Sequence, residues 1–257
     1  MAASRTFVIA ECGVNHNGSL LEAFRLADAS KAAGADAAKF QLFNSEKLWG
    51  DGRIAHLELS QDEIRAVAQH CWAIDIEFMC TPFDVESLEF LLTLEVKRLK
   101  IASGCLTNND LLYAAYQSGL PMILSTGMST KEEIRKAIGT LAANVTLLHC
   151  TSAYPCPIEA VNLKAMDDLR EFKRPVGYSD HTPGITIALA AVARGAVCLE
   201  KHLTLDCEAE GPDHKTSIEP DDFRVMVSGI RTVEESLGDG VKRVQECELE
   251  LRKAWRD

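Results

Sequence analysis

Residues 7–43 read FVIAECGVNHNGSLLEAFRLADASKAAGADAAKFQLF, and this stretch decides the fold. It opens on a short apolar, β-branched run, FVIAEC (7–12), which suits a strand covered on both faces. Ser19 and Glu22 have the spacing of a capping box, where hydroxyl and carboxylate satisfy orphan backbone N–H groups at a helix start. Glu22, Arg25 and Asp28 then recur three apart, while Leu20, Phe24 and Ala27 supply the opposing apolar stripe. Gly34 stands where the helix should stop, because glycine accepts the left-handed conformation at a helix C-terminus. AAKFQLF (37–43) follows as the next strand, so the unit is strand, helix, parallel strand.

The unit recurs outward from there. IEFMCTP (76–82), RLKIASG (98–104), MILSTG (122–127), VTLLHC (145–150), PVGYSD (175–180) and VCLEKHLT (197–204) repeat the apolar run. Ser60 with Glu63 and Thr130 with Glu133 repeat the capping box, and Gly119 and Gly195 repeat the stop. Eight β–α units in a chain of 257 residues match a (β/α)8 TIM barrel of the α/β class. An open doubly wound sheet is the alternative. Against it, no G-x-G-x-x-G turn follows any strand, and no G-x-x-x-x-G-K-[ST] loop is present. The barrel is expected to occupy residues 1–240, with the charged end, 241–257, as a terminal helix or tail.

Composition narrows the function classes. Lys and Arg number 27 against 38 Asp and Glu, a net charge of -11, which disfavours nucleic acid or anionic lipid as a general partner. No run approaches the roughly 20 apolar residues that span a bilayer, and MAASRTFVIAE lacks the longer apolar core of a secretory signal. The expectation is a cytoplasmic protein. Its cysteines agree: Cys12, Cys80, Cys105, Cys150 and Cys198 sit in or beside apolar runs, as packed thiols do, and no C-x-x-C pair offers a zinc or redox motif.

In a barrel, functional groups gather at the C-terminal ends of the strands. Polar residues concentrate there: Glu11, then Lys39 and Gln41, Thr81, Lys100 and Ser103, Ser125, Ser152 and Tyr154, Ser179 and His181, and finally His202. Any one serine or lysine has an ordinary reading as a strand end or helix cap. Two lysines and several hydroxyls on one rim make a pocket for a small phosphorylated or carboxylated anion. His181 and His202 are expected as neighbours, either as satisfied structural histidines or as ligands of a divalent metal with open positions. Glu11 follows FVIA, where a carboxylate is costly unless paired, for example with Lys39, or used. His149 reads as a packed histidine, His56 and His70 have no evident role, and His16 and His214 flank the rim.

Taken together, IAECGVNHNGSL, AAKFQLF, KIASG, ILSTGM, LLHCTSAYP, GYSDHTPG, LEKHLTLD and EGPDHKTSIEP resemble the sialic acid synthase family, in order, from about residue 7 to about residue 236. The resemblance implies a (β/α)8 barrel that condenses phosphoenolpyruvate with an aldose such as N-acetylmannosamine. It further implies a divalent metal, Mn2+ or Mg2+, and a homodimer. By motif position Glu11 matches the family's catalytic carboxylate and His181 and His202 its metal ligands. Lys39, Thr81, Lys100, Ser103, Ser125, Ser152 and Ser179 match positions that hold phosphoenolpyruvate, and Gln41, Tyr154 and Asp213 positions near the sugar.

Two departures bear on the acceptor. The family often has Glu or Asp after the Ser-Gly of strand four, where this chain reads SGCLTN with Cys105, and a thiol is a poor substitute for a carboxylate acceptor. Members commonly carry a C-terminal antifreeze-like domain, and this sequence ends near the start of that linker. The alternatives are therefore a phosphoenolpyruvate-dependent synthase with a different aldehyde, or a non-catalytic barrel that binds sugar or phosphoenolpyruvate.

Overall fold

The computed structural model describes residues 5–141 and 144–256. Eight strands follow one another around the barrel: β1 (Phe7–Gly13), β2 (Ala37–Leu42), β3 (Glu77–Pro82), β4 (Leu99–Ile101), β5 (Met122–Ser125), β6 (Val145–His149), β7 (Val176–Asp180) and β8 (Cys198–His202). The helices between and after them are α1 (Leu20–Ala32), α2 (Ser45–Trp49), α3 (Gln61–Ala73), α4 (Val85–Leu92), α5 (Asn109–Gln117), α6 (Lys131–Leu141), α7 (Ala165–Leu169), α8 (Thr186–Ala193), α9 (Pro220–Ser236) and α10 (Leu249–Arg256). All pairings are parallel, in the order β3-β2-β1-β8-β7-β6-β5-β4, and β3 lies beside β4 across the remaining seam. That cyclic order is a (β/α)8 barrel and excludes the doubly wound sheet.

Local chemistry explains the elements. Ser60 and Glu63 complete a capping box at α3, and Thr130 and Glu133 do the same at α6. At α1 only half of the expected box forms: Ser19 accepts from the Glu22 N–H, but the Glu22 carboxylate turns to Arg25 at 2.6 Å. Gly34, Gly119 and Gly195 all take the left-handed conformation at their helix ends. Strand β4 is shorter than RLKIASG suggests, because Ser103–Cys105 winds into a single 3-10 turn. That turn places the Ser103 hydroxyl where the Gly127 N–H donates to it at 3.0 Å.

Period-two alternation sorts side chains inside and outside the barrel. Outward residues such as Val8, Ala38, Phe78, Leu99 and Leu199 join the helices in the main core, while Ile9, Ala37, Met79, Ile123, Leu148 and Cys198 plug the interior. One step further along the same inward rows the residues become polar: Glu11, Lys39, Thr81, Lys100, Ser125, Ser179 and Glu200, each nearly inaccessible to solvent. The apolar plug thus forms a dry floor under a polar layer. Beyond α9, α10 lies exposed with Leu251 and Trp255 facing solvent. Among the described residues no helix is long and apolar enough to cross a membrane.

Candidate active site

The polar layer and the loops above it line one cavity of about 620 Å³. It brings together every side chain that the strand ends single out: Glu11, Lys39, Gln41, Thr81, Lys100, Ser103, Ser125, Ser152, Tyr154, Ser179, His181 and His202, with Asp213 from the loop after β8. In β1 the register slips between Glu11 and Gly13, a bulge of the kind that re-aims side chains beside active sites. Gly13 has φ +48, and a Cβ there would lie 3.0 Å from Glu11 Oε1, 3.2 Å from Asp213 Oδ2 and 3.3 Å from Gln41 Nε2. The bare glycine lets these three side chains converge.

Charges in the layer are interlocked. Glu11 pairs with Lys39 and accepts from Gln41 Nε2 at 3.0 Å. Lys39 also donates to Thr81 Oγ1 at 3.0 Å and lies 3.4 Å from Glu200 Oε2. Lys100 stands 3.5 Å from Glu200 Oε1, which accepts from the Ser179 hydroxyl at 2.7 Å. Burial works to raise Glu200, but Lys100, Lys39 and Ser179 together outweigh it and hold the carboxyl well below its usual range. Burial and the Glu200 charge raise Glu11 against the pull of Lys39. Asp213 is pushed up to about 7, first by burial and then by Glu11. Glu200 is the functional-layer residue that strand-end reading missed. Its signal was present, since it lies two residues before His202 and so shares its face.

Hydroxyls line the same cavity. Ser103 Oγ lies 3.2 Å from Cys150 Sγ, and the Ser125 and Ser152 hydroxyls are buried with no hydrogen-bond partner among the described residues. Unpartnered buried donors in one cavity with two ammonium groups are suited to the oxygens of a small anion. Cys105 also lines the cavity, its thiol pushed up to about 11 by burial.

The two histidines do come together, with ring centroids 5.5 Å apart, and the Tyr154 ring lies tilted by 38° against His181 with centroids 4.3 Å apart. His181 Nδ1 donates to the Thr151 carbonyl at 2.8 Å, which fixes its tautomer and leaves Nε2 with only a 3.4 Å contact to Ser179 Oγ. His202 Nδ1 is buried without a hydrogen bond, 3.6 Å from Asp213 Oδ2. Burial lowers both histidines, and His202 falls well below the usual range because a proton there would also be repelled by one on His181, so both favour the neutral imidazole, the form that binds metal. Among the described residues no cluster of three or more His, Cys, Asp or Glu is arranged to hold an ion. The donors that the pair could offer a cation are the His202 Nδ1, buried without a hydrogen bond, and the loosely held His181 Nε2. Other histidines take structural places: His149 hydrogen-bonds the Val161 carbonyl, His70 meets Asp28, and His214 meets Thr204.

The profile of the NeuB family matches residues 26–242. The chain belongs to the NeuB family. It is a sialic acid synthase-type barrel, 42% identical to the N,N'-diacetyllegionaminic acid synthase of Legionella pneumophila over 97% of this chain and 78% of that protein. It is also 36% identical to the human N-acetylneuraminate-9-phosphate synthase, over 95% of this chain and 74% of the relative. Among solved structures, the N-acetylneuraminic acid synthetase of Leptospira borgpetersenii, in complex with citrate, superposes with a TM-score of 0.91 at 38% identity, covering 98% of this chain and 93% of that one. The relatives' names agree on sugar acid synthesis and differ in the sugar acid made.

Proposed function

We propose that this NeuB-family barrel condenses phosphoenolpyruvate with N-acetylmannosamine or a related aldose, giving a nonulosonic acid and phosphate. The observation that carries the reading is one cavity lined together by two buried lysines, the unpartnered hydroxyls of Ser125 and Ser152, and the two buried imidazoles of His181 and His202. Lys39 and Lys100 neutralise the carboxylate and phosphate, while Thr81, Ser103, Ser125, Ser152 and Ser179 supply hydrogen bonds. Gln41, Tyr154 and Asp213 face the sugar.

A manganese or magnesium ion held by His181 and His202 supplies, when bound, Lewis acidity toward the aldehyde oxygen of the open-chain sugar. The new bond joins C3 of phosphoenolpyruvate to the aldehyde carbon and leaves C2 electron-poor. Water adds at C2, and the tetrahedral centre so formed expels phosphate. Glu11 orients that water and takes its proton; its carboxyl is raised by burial and held by Gln41 and Lys39, which supports this role. The dry apolar plug beneath keeps these charges in a low-dielectric setting where they act strongly.

The test is incubation with Mn2+, phosphoenolpyruvate and N-acetylmannosamine, reading inorganic phosphate and the mass of the keto acid. Both are expected to appear, and both to vanish in Glu11→Ala and in chelated samples. Phosphate without a keto acid product would refute the condensation. A second reading, a different aldehyde acceptor, is favoured by the buried thiol of Cys105 in the cavity wall. The same assay across a panel of aldoses separates the two. Cytoplasmic location and pairing of two copies belong to the same reading, and sedimentation at micromolar concentration tests the pairing.

A further inference from the structure

We propose that Asp180 and Lys201 are positioning residues, a buried ionic clamp on the outer face of the barrel that fixes the spacing of His181 and His202 for a divalent metal. The metal part rests on the function proposed above; the clamp itself stands on geometry.

Asp180 and Lys201 are register partners on β7 and β8, and both are fully buried. The alternation that turns Ser179, His181, Glu200 and His202 inward turns these two outward, and neither lines the cavity. Lys201 Nζ meets Asp180 Oδ2 at 3.1 Å and also donates to the Thr182 carbonyl. Asp180 Oδ1 accepts from the Thr182 N–H at 2.9 Å and from its hydroxyl at 2.8 Å. One lysine thus ties the residue before His202 to the residues on both sides of His181. A second set of bonds completes the frame: the His181 carbonyl accepts from Thr216 Oγ1 and from the Cys156 N–H, each at 2.8 Å.

Stability does not account for the clamp. A buried ion pair costs so much desolvation that a well-packed apolar pair of similar volume is often as stable. Between two strands that present one histidine each, a fixed ionic tie sets where the two rings stand, and loss of groups that orient metal ligands from the outer shell typically costs 10–100-fold in metal affinity.

The test compares the full-length chain with Asp180→Leu/Lys201→Met, which removes both charges together, and with the isosteric Asp180→Asn, which keeps the Oδ1 bonds to Thr182. Mn2+ affinity is read from the EPR signal of free Mn2+, phosphoenolpyruvate affinity by calorimetry in chelator, and turnover as a function of Mn2+. The double variant is expected to bind Mn2+ at least about tenfold more weakly. Phosphoenolpyruvate affinity stays near wild type, and saturating Mn2+ recovers most of the turnover. Asp180→Asn moves in the same direction by less, and it decides the question if the double variant does not fold. Wild-type Mn2+ affinity in a folded variant overturns the clamp alone. Equal weakening toward Mn2+ and phosphoenolpyruvate also overturns it, as general loosening. A wild-type chain that binds no Mn2+ overturns both the clamp and the metal reading.

Discussion

Replacing Gly127 with alanine separates the chemistry of the hydroxyl cluster from the stability of the barrel. Gly127 does not need a left-handed backbone, so the perturbation is the added methyl. That methyl would lie 2.4 Å from Ser152 Oγ and 2.9 Å from Ser103 Oγ, closer than real Cβ contacts, and 3.0 Å from Cys150 Sγ, tighter than most. Overpacking costs about 1–3 kcal/mol, and the reduced freedom of the unfolded chain returns about 0.4–1 kcal/mol. The net loss is about 1 kcal/mol, a fall in Tm of about 2–4 °C for a chain of this size. The functional effect is larger, because relief requires Ser152 and Ser103 to swing away from the cavity. Two hydrogen bonds to a charged ligand at about 1.5 kcal/mol each amount to about 3 kcal/mol, a rise in the KM for phosphoenolpyruvate of roughly a hundredfold. Thermal melts and steady-state phosphate release measure the two effects on one preparation. A variant with a near-normal melt and a KM within about threefold of wild type would refute the placement of these hydroxyls on phosphoenolpyruvate.

Glu200→Gln leaves Lys39 and Lys100 with Glu11 as the remaining carboxylate of the layer, and loss of one partner from a buried ion cluster should cost about 3 kcal/mol in urea unfolding; a loss under about 1 kcal/mol would mean that water already screens the lysines. His16 is buried and lowered by that burial to about 4, so the folded chain keeps it neutral where the unfolded chain, near 6.5, takes up a proton. Stability from this group is whole above pH 6.5 and is lost as pH falls toward 4, by about 3 kcal/mol. His16→Asn should remove that much of the pH dependence, and an unchanged profile would show that the ring is hydrated. Cys105→Glu should change discrimination among aldoses more than the KM for phosphoenolpyruvate; the reverse would move Cys105 away from the acceptor.

Much of this was legible in the sequence because a parallel barrel writes itself in repeating units. The apolar runs, the caps at Ser60 and Thr130 and the glycine stops each encode a local boundary, and eight of them in order imply closure. Strand ends then localise polar residues, which is why Glu11, Lys39, Lys100, His181 and His202 are visible in the sequence. Glu200 was not, because a carboxylate between Leu199 and Lys201 looks like ordinary charge until the parity of β8 shows which side it faces. Asp180 and Lys201 were hidden for the same reason in reverse, being charged residues that point away from the cavity into packed helices. At α1 the sequence pattern was right and the bond was not, since Glu22 had two partners in reach and took Arg25.

The central claim is that water adds at C2 of phosphoenolpyruvate after the sugar has added at C3. Phosphoenolpyruvate carrying 18O at the oxygen that bridges C2 and phosphorus tests it most directly, with Mn2+ and an acceptor aldose present and both products weighed by mass spectrometry. The account predicts that the label leaves with phosphate, that one oxygen of the keto acid comes from water, and that phosphate release requires the aldose. Label retained on carbon, or phosphate released at the same rate without the aldose, would contradict it.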